Sequence, residues 1–244
     1  MIQRIDVCGV PVDILRQETL EQEILEILAK PGTKQIMFLS IWNLLKARHN
    51  KDYAETLRNA DLIIPVSKSI IKGAKFLKRE LPVRYNPFEA VISVLSILEN
   101  HYKTLYLLGG NRKTLMQAES NLHATFPDLH IVGRCVGYFS KNAEADVIQA
   151  IYKSQASLVL VSEGIKEKDS WSYHRKNQFS TSIFLYYKES FGIFSSRIQR
   201  VNPKTFERGH EVFVEVLHNP FKIFLLIPFL WYNLVLLWYK IRKK

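Results

Sequence analysis

The sequence predicts an α/β fold built on a mostly parallel sheet with helices on both faces. Short runs rich in branched or aromatic residues recur along the chain, and helix-length stretches separate them. The runs are almost continuously apolar, which is typical of strands covered on both faces. No internal repeat or low-complexity linker interrupts this alternation.

The chain order of these runs defines the predicted elements. Six strands are predicted, at Gln35–Leu39, Ala60–Val66, Thr104–Leu108, His130–Val132, Ala156–Val161 and Ser182–Tyr187. Before the first strand, Thr19-Leu20-Glu21-Gln22 predicts a capping box, and apolar residues at helical spacing continue to Pro31-Gly32. A helix is therefore expected to precede the first strand.

A Gly-Gly pair follows the third predicted strand. Gly109 and Gly110 lead into a long amphipathic segment that closes at Pro127-Asp128. Ligands collect at the carboxyl ends of parallel strands, and the amides of a following helix can bind a diphosphate. The segment lacks the Walker Lys-Ser/Thr pair and the G-x-G-x-x-G spacing. The turn is either a phosphate cradle or a simple strand-to-helix connection.

Composition limits the class of protein. The 244 residues, 47% apolar and 23% charged, fit one large domain or a domain with an appendage. Cys8 and Cys135 have no companions at metal-ligand spacing, which indicates a reducing compartment and two small apolar core residues. The first residues do not resemble a secretory signal, so we expect a cytoplasmic protein.

The formal charge of +11 is concentrated in part at the C-terminus. Residues 219–244 contain five Lys or Arg residues and no Asp or Glu, and Ile223–Tyr239 is apolar except for Asn233. Such a segment predicts a membrane-associating helix that lies along, dips into or crosses the bilayer; a buried core helix is the alternative. No nucleic-acid motif is present, so nucleic acid is not an expected partner. We predict a core at residues 1–190 and a basic appendage at 191–244.

A series of motifs points to a family. LLGG at 107–110, FPDL at 126–129, IVG at 131–133 and GYF at 137–139 precede ASLVLVSEGIKEKDSW at 156–171. This order resembles the WecG/TagA/CpsF glycosyltransferases, from about Ile5 to about Lys222. The resemblance implies a Rossmann-like core, metal-independent inverting transfer of N-acetylmannosamine or a related hexose from a UDP-sugar, and a lipid-linked acceptor in bacterial cell-surface polysaccharide assembly. It also implies an appendage that reaches the inner face of the cell membrane.

The catalytic aspartate that the resemblance implies is missing from its usual position in this chain. The family usually has Pro-Asp-Gly after its second strand, but here Val66 and Ser67 follow Pro65. A general base must accept a proton from the attacking hydroxyl, which valine cannot do. Three other carboxylates are candidates for a relocated base: Glu89, Glu163 and Asp169.

The resemblance and the strand ends together suggest residues that bind the substrates. These candidates are Ser40, Asn43, Ser67, Arg84, Gly109, Gly110, Gly137, Tyr138, Gly164, Lys168 and Arg200. Several have a plainer alternative: Arg84 as a surface ion pair with Glu80 or Glu89, Lys168 as a solvated helix start, and Tyr138 as a loop aromatic covering the core. The histidines lack metal-ligand spacing, so no metal site is expected.

Three functions remain open at this point. The chain is an active, divergent glycosyltransferase; a non-catalytic relative that binds nucleotide-sugar or recruits a partner at the membrane; or a membrane-associated protein that binds no nucleotide. The remaining carboxylates and glycine turns favour the first, and the missing aspartate favours the second. The oligomeric state is not predicted.

Overall fold

The computed structural model describes residues 2–209 and 226–242. The strands are β1 (Gln3–Val7), β2 (Val10–Ile14), β3 (Lys34–Leu39), β4 (Leu62–Pro65), β5 (Thr104–Leu108), β6 (His130–Cys135), β7 (Leu158–Val161) and β8 (Ile183–Tyr186). The helices are α1 (Leu20–Ala29), α2 (Ile41–His49), α3 (Lys51–Arg58), α4 (Lys68–Phe76), α5 (Pro87–Asn100), α6 (Arg112–Thr125), α7 (Glu144–Ser154), α8 (Ser170–His174), α9 (Ser190–Phe194), α10 (Pro203–Arg208) and a C-terminal helix (Ile227–Arg242).

The main sheet has six parallel strands in the order β4-β3-β8-β7-β5-β6. The predicted α/β class and parallel sheet are therefore confirmed. Each of the six predicted strands exists; Thr104–Leu108 has the predicted bounds, and the bounds of the other five differ. The predicted strand Ala60–Val66 is shorter, at Leu62–Pro65, and the strand predicted at His130–Val132 continues to Cys135.

Helices cover the sheet on both faces, as predicted. Side chains alternate between faces along each strand, so neighbours in β3 and β4 belong to different hydrophobic clusters. Ile36, Leu62 and Ile64 pack with α1, α5 and α6, whereas Met37 and Ile63 pack with α2, α3, α4 and the C-terminal helix. The core is thus split by the sheet into two layers.

An antiparallel hairpin, β1-β2, was not predicted. Its turn is Cys8-Gly9, and both residues have positive φ, which matches the twist of a two-residue hairpin. Asp13 joins the hairpin to the sheet: its buried carboxylate accepts hydrogen bonds from Arg4 at 2.6 and 2.9 Å and from the Ile63 amide at 2.7 Å. The buried carboxylate is therefore both paired and hydrogen-bonded.

The predicted capping box before α1 is wrong. The Thr19 side chain makes no capping bond; its hydroxyl donates to the Arg16 carbonyl at 3.2 Å instead. A short 3₁₀ turn, Gln17–Thr19, leads directly into α1 and holds Thr19 in helical conformation, whereas a capping residue is usually extended. Local hydrogen bonding therefore replaces the cap.

The C-terminal helix packs on the core. The predicted helix was Ile223–Tyr239; residues 223–225 lie outside the described residues, and the helix continues to Arg242. Its buried residues are Pro228, Tyr232, Val235 and Leu236, and the last three belong to the cluster that includes α2, α4 and the hairpin. Within the described ranges, no helix is long and apolar enough to cross a membrane. The division at residue 190 stays a prediction.

Candidate active site

A cavity of about 320 Å³ lies at the carboxyl edge of the parallel sheet. Residues that follow β3, β4 and β8 line it, together with the start of α5 and residues around α10. Ligands bind at this edge in parallel α/β sheets because the loops there are free to vary while the strands position them. This cavity is therefore the candidate active site.

Three helices begin at the cavity. Ser40 caps α2 and accepts a hydrogen bond from the Asn43 amide, and Asn86 caps α5 by accepting from Phe88 at 3.0 Å. Ser67 precedes α4, where its hydroxyl accepts from the Ile41 amide at 3.4 Å. Helix N-termini carry partial positive charge, so their convergence favours an anion.

Four cations line the same cavity, at Lys68, Arg84, Lys188 and Arg200. Arg84 donates from Nε to the Val66 carbonyl at 2.8 Å and from Nη1 to the Phe206 carbonyl, and its guanidinium lies 3.7 Å from the Phe206 ring centroid. Lys68 donates to the carbonyls of Glu207 and Arg208 at 2.9 and 3.1 Å. Both side chains therefore hold α10 over the cavity, where they also present positive charge.

Two carboxylates face this positive charge. Glu89 and Glu189 line the cavity, and both residues are exposed. The Glu89 carboxylate has no hydrogen bond or ion pair with any described residue. Glu189 accepts a long hydrogen bond from the Tyr187 hydroxyl at 3.5 Å. Of the three candidate bases, Glu89 is the one that the structure places in the cavity.

Asp169 belongs to a buried network behind the cavity. Its carboxylate accepts from the Tyr53 hydroxyl at 2.5 Å, and Tyr53 accepts from the Asn43 amide at 2.6 Å. The carbonyl end of Asn43 bonds the Ser40 hydroxyl, so the network reaches the cavity wall. Burial raises the pKa of Asp169, although the bond from Tyr53 opposes this rise. Asp169 and Asn43 thus orient Ser40 and do not line the cavity themselves.

Glu163, the third candidate base, is paired elsewhere. Its carboxylate accepts a hydrogen bond from the Arg197 guanidinium in an ion pair, and it is not a cavity residue. Lys168 is exposed and has a positive φ of 53° at the turn before α8. This position matches the plainer alternative, a solvated helix start, and places Lys168 outside the cavity lining.

The Gly109-Gly110 turn is engaged in packing. The Gly109 amide donates to the Cys135 carbonyl at 2.9 Å, and the Gly110 amide donates to the Glu163 carbonyl at 2.7 Å. A Cβ on Gly109 would lie 2.9 Å from the Glu163 carbonyl oxygen, so the loops meet too closely for a side chain. Both glycine amides thus already have backbone partners, and binding of an anion by the amides of the helix that follows stays a prediction.

Gly137, Tyr138 and Gly164 complete the same set of interlocked turns. The Gly137 amide donates to the Gly110 carbonyl, and the Tyr138 amide donates to the Gly164 carbonyl, both at 2.8 Å. The Tyr138 side chain is 67% exposed, and a Cβ on Gly164 would meet its ring at 2.8 Å. Tyr138 therefore covers a glycine at the surface and does not contact the cavity. Substrate binding by these three residues stays a prediction.

Several cavity residues were not predicted. Trp42, which is 43% exposed, lines the cavity from the first turn of α2, and the unpredicted polar or charged residues include Asn86, Lys68, Lys188 and Glu189. A helix-start signal existed for Asn86, since Asn before Pro is a common cap. The others follow β3, β4 or β8, and only the strand order shows that these three ends are neighbours. In the described part of the chain, no three His, Cys, Asp or Glu side chains form a metal-binding group. Metal-independence stays a prediction.

Comparison with known proteins agrees with the motif series. The profile of the glycosyl transferase WecG/TagA/CpsF family matches residues 5–244. The chain is 19% identical over 211 residues to an N-acetylglucosaminyldiphosphoundecaprenol N-acetyl-beta-D-mannosaminyltransferase of Bacillus subtilis strain 168, covering 86% of this chain and 78% of that protein.

Two further relatives carry the same name. The enzyme from Bacillus spizizenii is 24% identical over 176 residues, which cover 72% of this chain and 67% of the relative. The enzyme from Staphylococcus aureus strain NCTC 8325 is 21% identical over 201 residues, covering 81% and 78% respectively. Because the family profile matches almost the whole sequence, the chain belongs to the WecG/TagA/CpsF family of glycosyltransferases.

Proposed function

We propose that this protein transfers N-acetylmannosamine or a related hexose from a UDP-sugar to a lipid-linked sugar diphosphate, during bacterial cell-surface polysaccharide assembly. One observation carries the proposal: four cations and three helix N-termini surround a cavity that also holds the Glu89 carboxylate, which is unpaired among the described residues. The relatives' names describe a diphosphoundecaprenol acceptor and a mannosaminyl group, which supports the substrate class.

The proposed chemistry divides the cavity residues into two roles. Lys68, Arg84, Lys188 and Arg200 bind the donor diphosphate and stabilise the charge that develops as UDP leaves. Glu89 accepts the proton of the acceptor hydroxyl while the oxygen of that hydroxyl forms a bond to the anomeric carbon of the donor sugar. At the same time the bond between the anomeric carbon and the diphosphate oxygen breaks, and UDP leaves. Trp42 offers an exposed aromatic face on which the uracil or a sugar ring stacks.

The membrane surface is proposed as the place of the reaction, on its cytoplasmic side. The outer face of the C-terminal helix exposes an apolar stripe with helical spacing: Ile227, Leu230, Trp231, Leu234, Leu237, Trp238 and Ile241. Three cations border it, since Arg48 and Arg242 lie against the Trp238 ring and Lys240 lies over Phe76. An apolar helix face bordered by cations is suited to lie in the headgroup region of an anionic bilayer.

Substitution of the proposed general base tests the catalytic proposal. We expect Glu89→Gln to lower kcat by about 100-fold or more, because the amide cannot accept the proton. The measurement is transfer from UDP-N-acetylmannosamine to a prenyl-diphosphate-linked N-acetylglucosamine. Glu189→Gln is the matched control in the same cavity and should keep most of the activity. A larger loss in Glu189→Gln than in Glu89→Gln would assign the base to Glu189.

A non-catalytic role is the second candidate, because Val66 lines the cavity at the position where the family resemblance implies an aspartate. UDP binding separates it from a role without nucleotide. A ligand that binds only the folded state raises Tm, so millimolar UDP should stabilise the wild type and stabilise Arg84→Met less. A Tm shift without any transfer would favour the non-catalytic role; no shift at all would oppose both nucleotide-binding proposals.

A further inference from the structure

A second cavity, of about 530 Å³, runs between α4 and the C-terminal helix. We call it the interhelix groove, and its lining residues are Ser69, Lys72, Phe76, Phe229, Tyr232, Asn233, Leu236 and Leu237. Most of these side chains are apolar or aromatic. None is acidic. At 1.5 Å per residue, the helix from Phe229 to Leu237 gives the groove a length of about 12 Å.

The two helices that form the groove run side by side because one of them has no side chain at the contact. A Cβ on Gly73 would lie 2.0 Å from the Tyr232 hydroxyl and 3.2 Å from Leu236. At one end Ser69 and Phe229 face each other across the groove, and at the other end Lys240 lies 3.8 Å from the Phe76 ring centroid. The close contact between the two helices thus forms the floor of the groove, and different residues lie at its two ends.

One end of the groove opens into the candidate active site. Ser69 and Phe229 line both the groove and the 320 Å³ cavity. At the opposite end, Leu237 lines the groove and is 51% exposed on the apolar stripe of the C-terminal helix. An apolar path therefore connects the outer face of this helix to the cationic cavity.

Three lysines follow one another along this path, from the cavity to the far end of the groove. Lys68 stands in the cavity, Lys72 is one turn further along α4 at the groove, and Lys240 covers the far end. A ligand that fits this order is amphiphilic: its diphosphate lies at the cavity end, close to Lys68 and Lys72, and its long apolar chain lies along the groove.

We propose that the interhelix groove binds the prenol chain of the lipid-linked acceptor and guides it from the membrane into the active site. The inference rests on the proposed function, which supplies the acceptor class. The prenol chain lies between α4 and the C-terminal helix, with its diphosphate end at Ser69 and Phe229. The chain then leaves past Leu237 toward the lipid surface.

A pair of matched variants tests this location in the full-length protein. Phe76→Asp places a charge in the groove, and Leu234→Asp places the same charge on the outer stripe of the neighbouring helix; these side chains are 37% and 57% exposed in the wild type. Transfer is measured in detergent to two acceptors with the same N-acetylglucosamine diphosphate, one with a C55 prenyl chain and one with a C10 chain.

We expect Phe76→Asp to lower the ratio of kcat/KM for the long-chain acceptor over the short-chain acceptor at least tenfold. Leu234→Asp should leave this ratio within twofold of the wild type. An unchanged ratio in Phe76→Asp, or equal falls in both variants, overturns the proposal while leaving the transferase function intact.

A photolabelling arm is independent of transfer. Farnesyl diphosphate with a benzophenone at its chain end should label peptides of α4 or the C-terminal helix in the wild type, with less label in Phe76→Asp. Labelling there without transfer to any acceptor would support the groove and reject the proposed function. Labelling confined to other peptides, or a wild-type dimer that Phe76→Asp converts to a monomer, would overturn the groove proposal.

Discussion

At the scale of single residues, two buried tyrosines differ in one respect. Tyr53 and Tyr232 are 1% and 2% exposed. The Tyr53 hydroxyl is bonded on both sides, to Asp169 and Asn43, whereas the Tyr232 hydroxyl has no hydrogen-bond partner within the described residues. A buried polar group that loses water without gaining a partner destabilises the folded state.

Removal of the two hydroxyls should therefore have different effects on the free energy of unfolding. Tyr53→Phe leaves Asn43 and Asp169 without their shared partner, and we expect it to lower the free energy of unfolding by about 1–3 kcal/mol. Tyr232→Phe removes an unpartnered hydroxyl and should leave stability unchanged or higher. Chemical denaturation of both variants checks this; a loss of stability in Tyr232→Phe would show that its hydroxyl is bonded in solution.

His174 connects two elements through its titratable ring. It bonds the carboxylate of Glu167 on one side and of Asp52, at 3.0 Å, on the other. The bond to Glu167 is the main cause that raises the pKa of His174 above its ordinary value of 6.5, with a smaller contribution from Asp52. A raised folded-state pKa means that this contact stabilises the protein below pH 6.5 and that the stabilisation is lost as pH rises through the folded-state pKa.

We predict a pH-dependent effect of removing this ring. The difference in Tm between the wild type and His174→Gln should be largest below pH 6.5 and should shrink at alkaline pH, where the wild-type imidazole is neutral. His123→Gln, at an exposed position on α6, is the control for replacing a surface histidine by glutamine. A Tm difference that is constant between pH 5.5 and 9 would contradict the assignment.

Single residues also mark the limit of sequence reasoning. Arg84, Arg200, Ser40, Ser67 and Glu89 were predicted from motif positions, and the structure places all of them at one cavity. Lys188 and Trp42 carry no local signal. Their role depends on which strand ends lie side by side, and this is decided by packing across the sheet rather than by neighbouring residues.

At the scale of elements, the parallel strands were predictable because each is a short, continuous apolar run. The hairpin β1-β2 was missed because its strands contain Arg, Asp and Pro, and because its turn, Cys8-Gly9, is not a usual hairpin pair. The C-terminal helix was predicted as apolar on nearly all sides. The structure explains this composition, since one face is buried in the core and the opposite face is the exposed stripe.

The exposed stripe leads to a prediction for this helix. Trp238→Glu combined with Leu234→Glu should reduce sedimentation with liposomes that contain anionic lipid by about tenfold or more, since both apolar contacts are replaced by like charges facing the bilayer. Thermal unfolding should change little, because both side chains are about half exposed in the folded protein. Unchanged sedimentation would place the membrane contact on another surface.

At the scale of the whole molecule, the two ends of the described chain pack together. Tyr232, Val235 and Leu236 share a hydrophobic cluster with Val7, Val10 and Val12 of the hairpin. The Tyr239 hydroxyl donates to the Asp6 carboxylate, and Arg48 of α2 donates to the Cys8 carbonyl. The C-terminal helix is therefore part of the core on one side.

Truncation should consequently affect more than membrane contact. We predict that a chain ending before residue 226 loses several kcal/mol of stability, because it uncovers apolar surface of the hairpin, α2 and α4 at about 25 cal/mol per Å². The measurement is urea denaturation, with the Trp238→Glu and Leu234→Glu double variant as the full-length control. Equal stability of truncated and full-length chains would show that the helix contributes nothing to the core.

The shared cluster of hairpin and C-terminal helix also orders events during synthesis. The hairpin is translated before the C-terminal helix, so its apolar side chains stay without this partner until that helix has also been made. The buried face of the helix and its exposed apolar stripe leave the ribosome together. Completion of this layer of the interior therefore coincides with the appearance of the stripe.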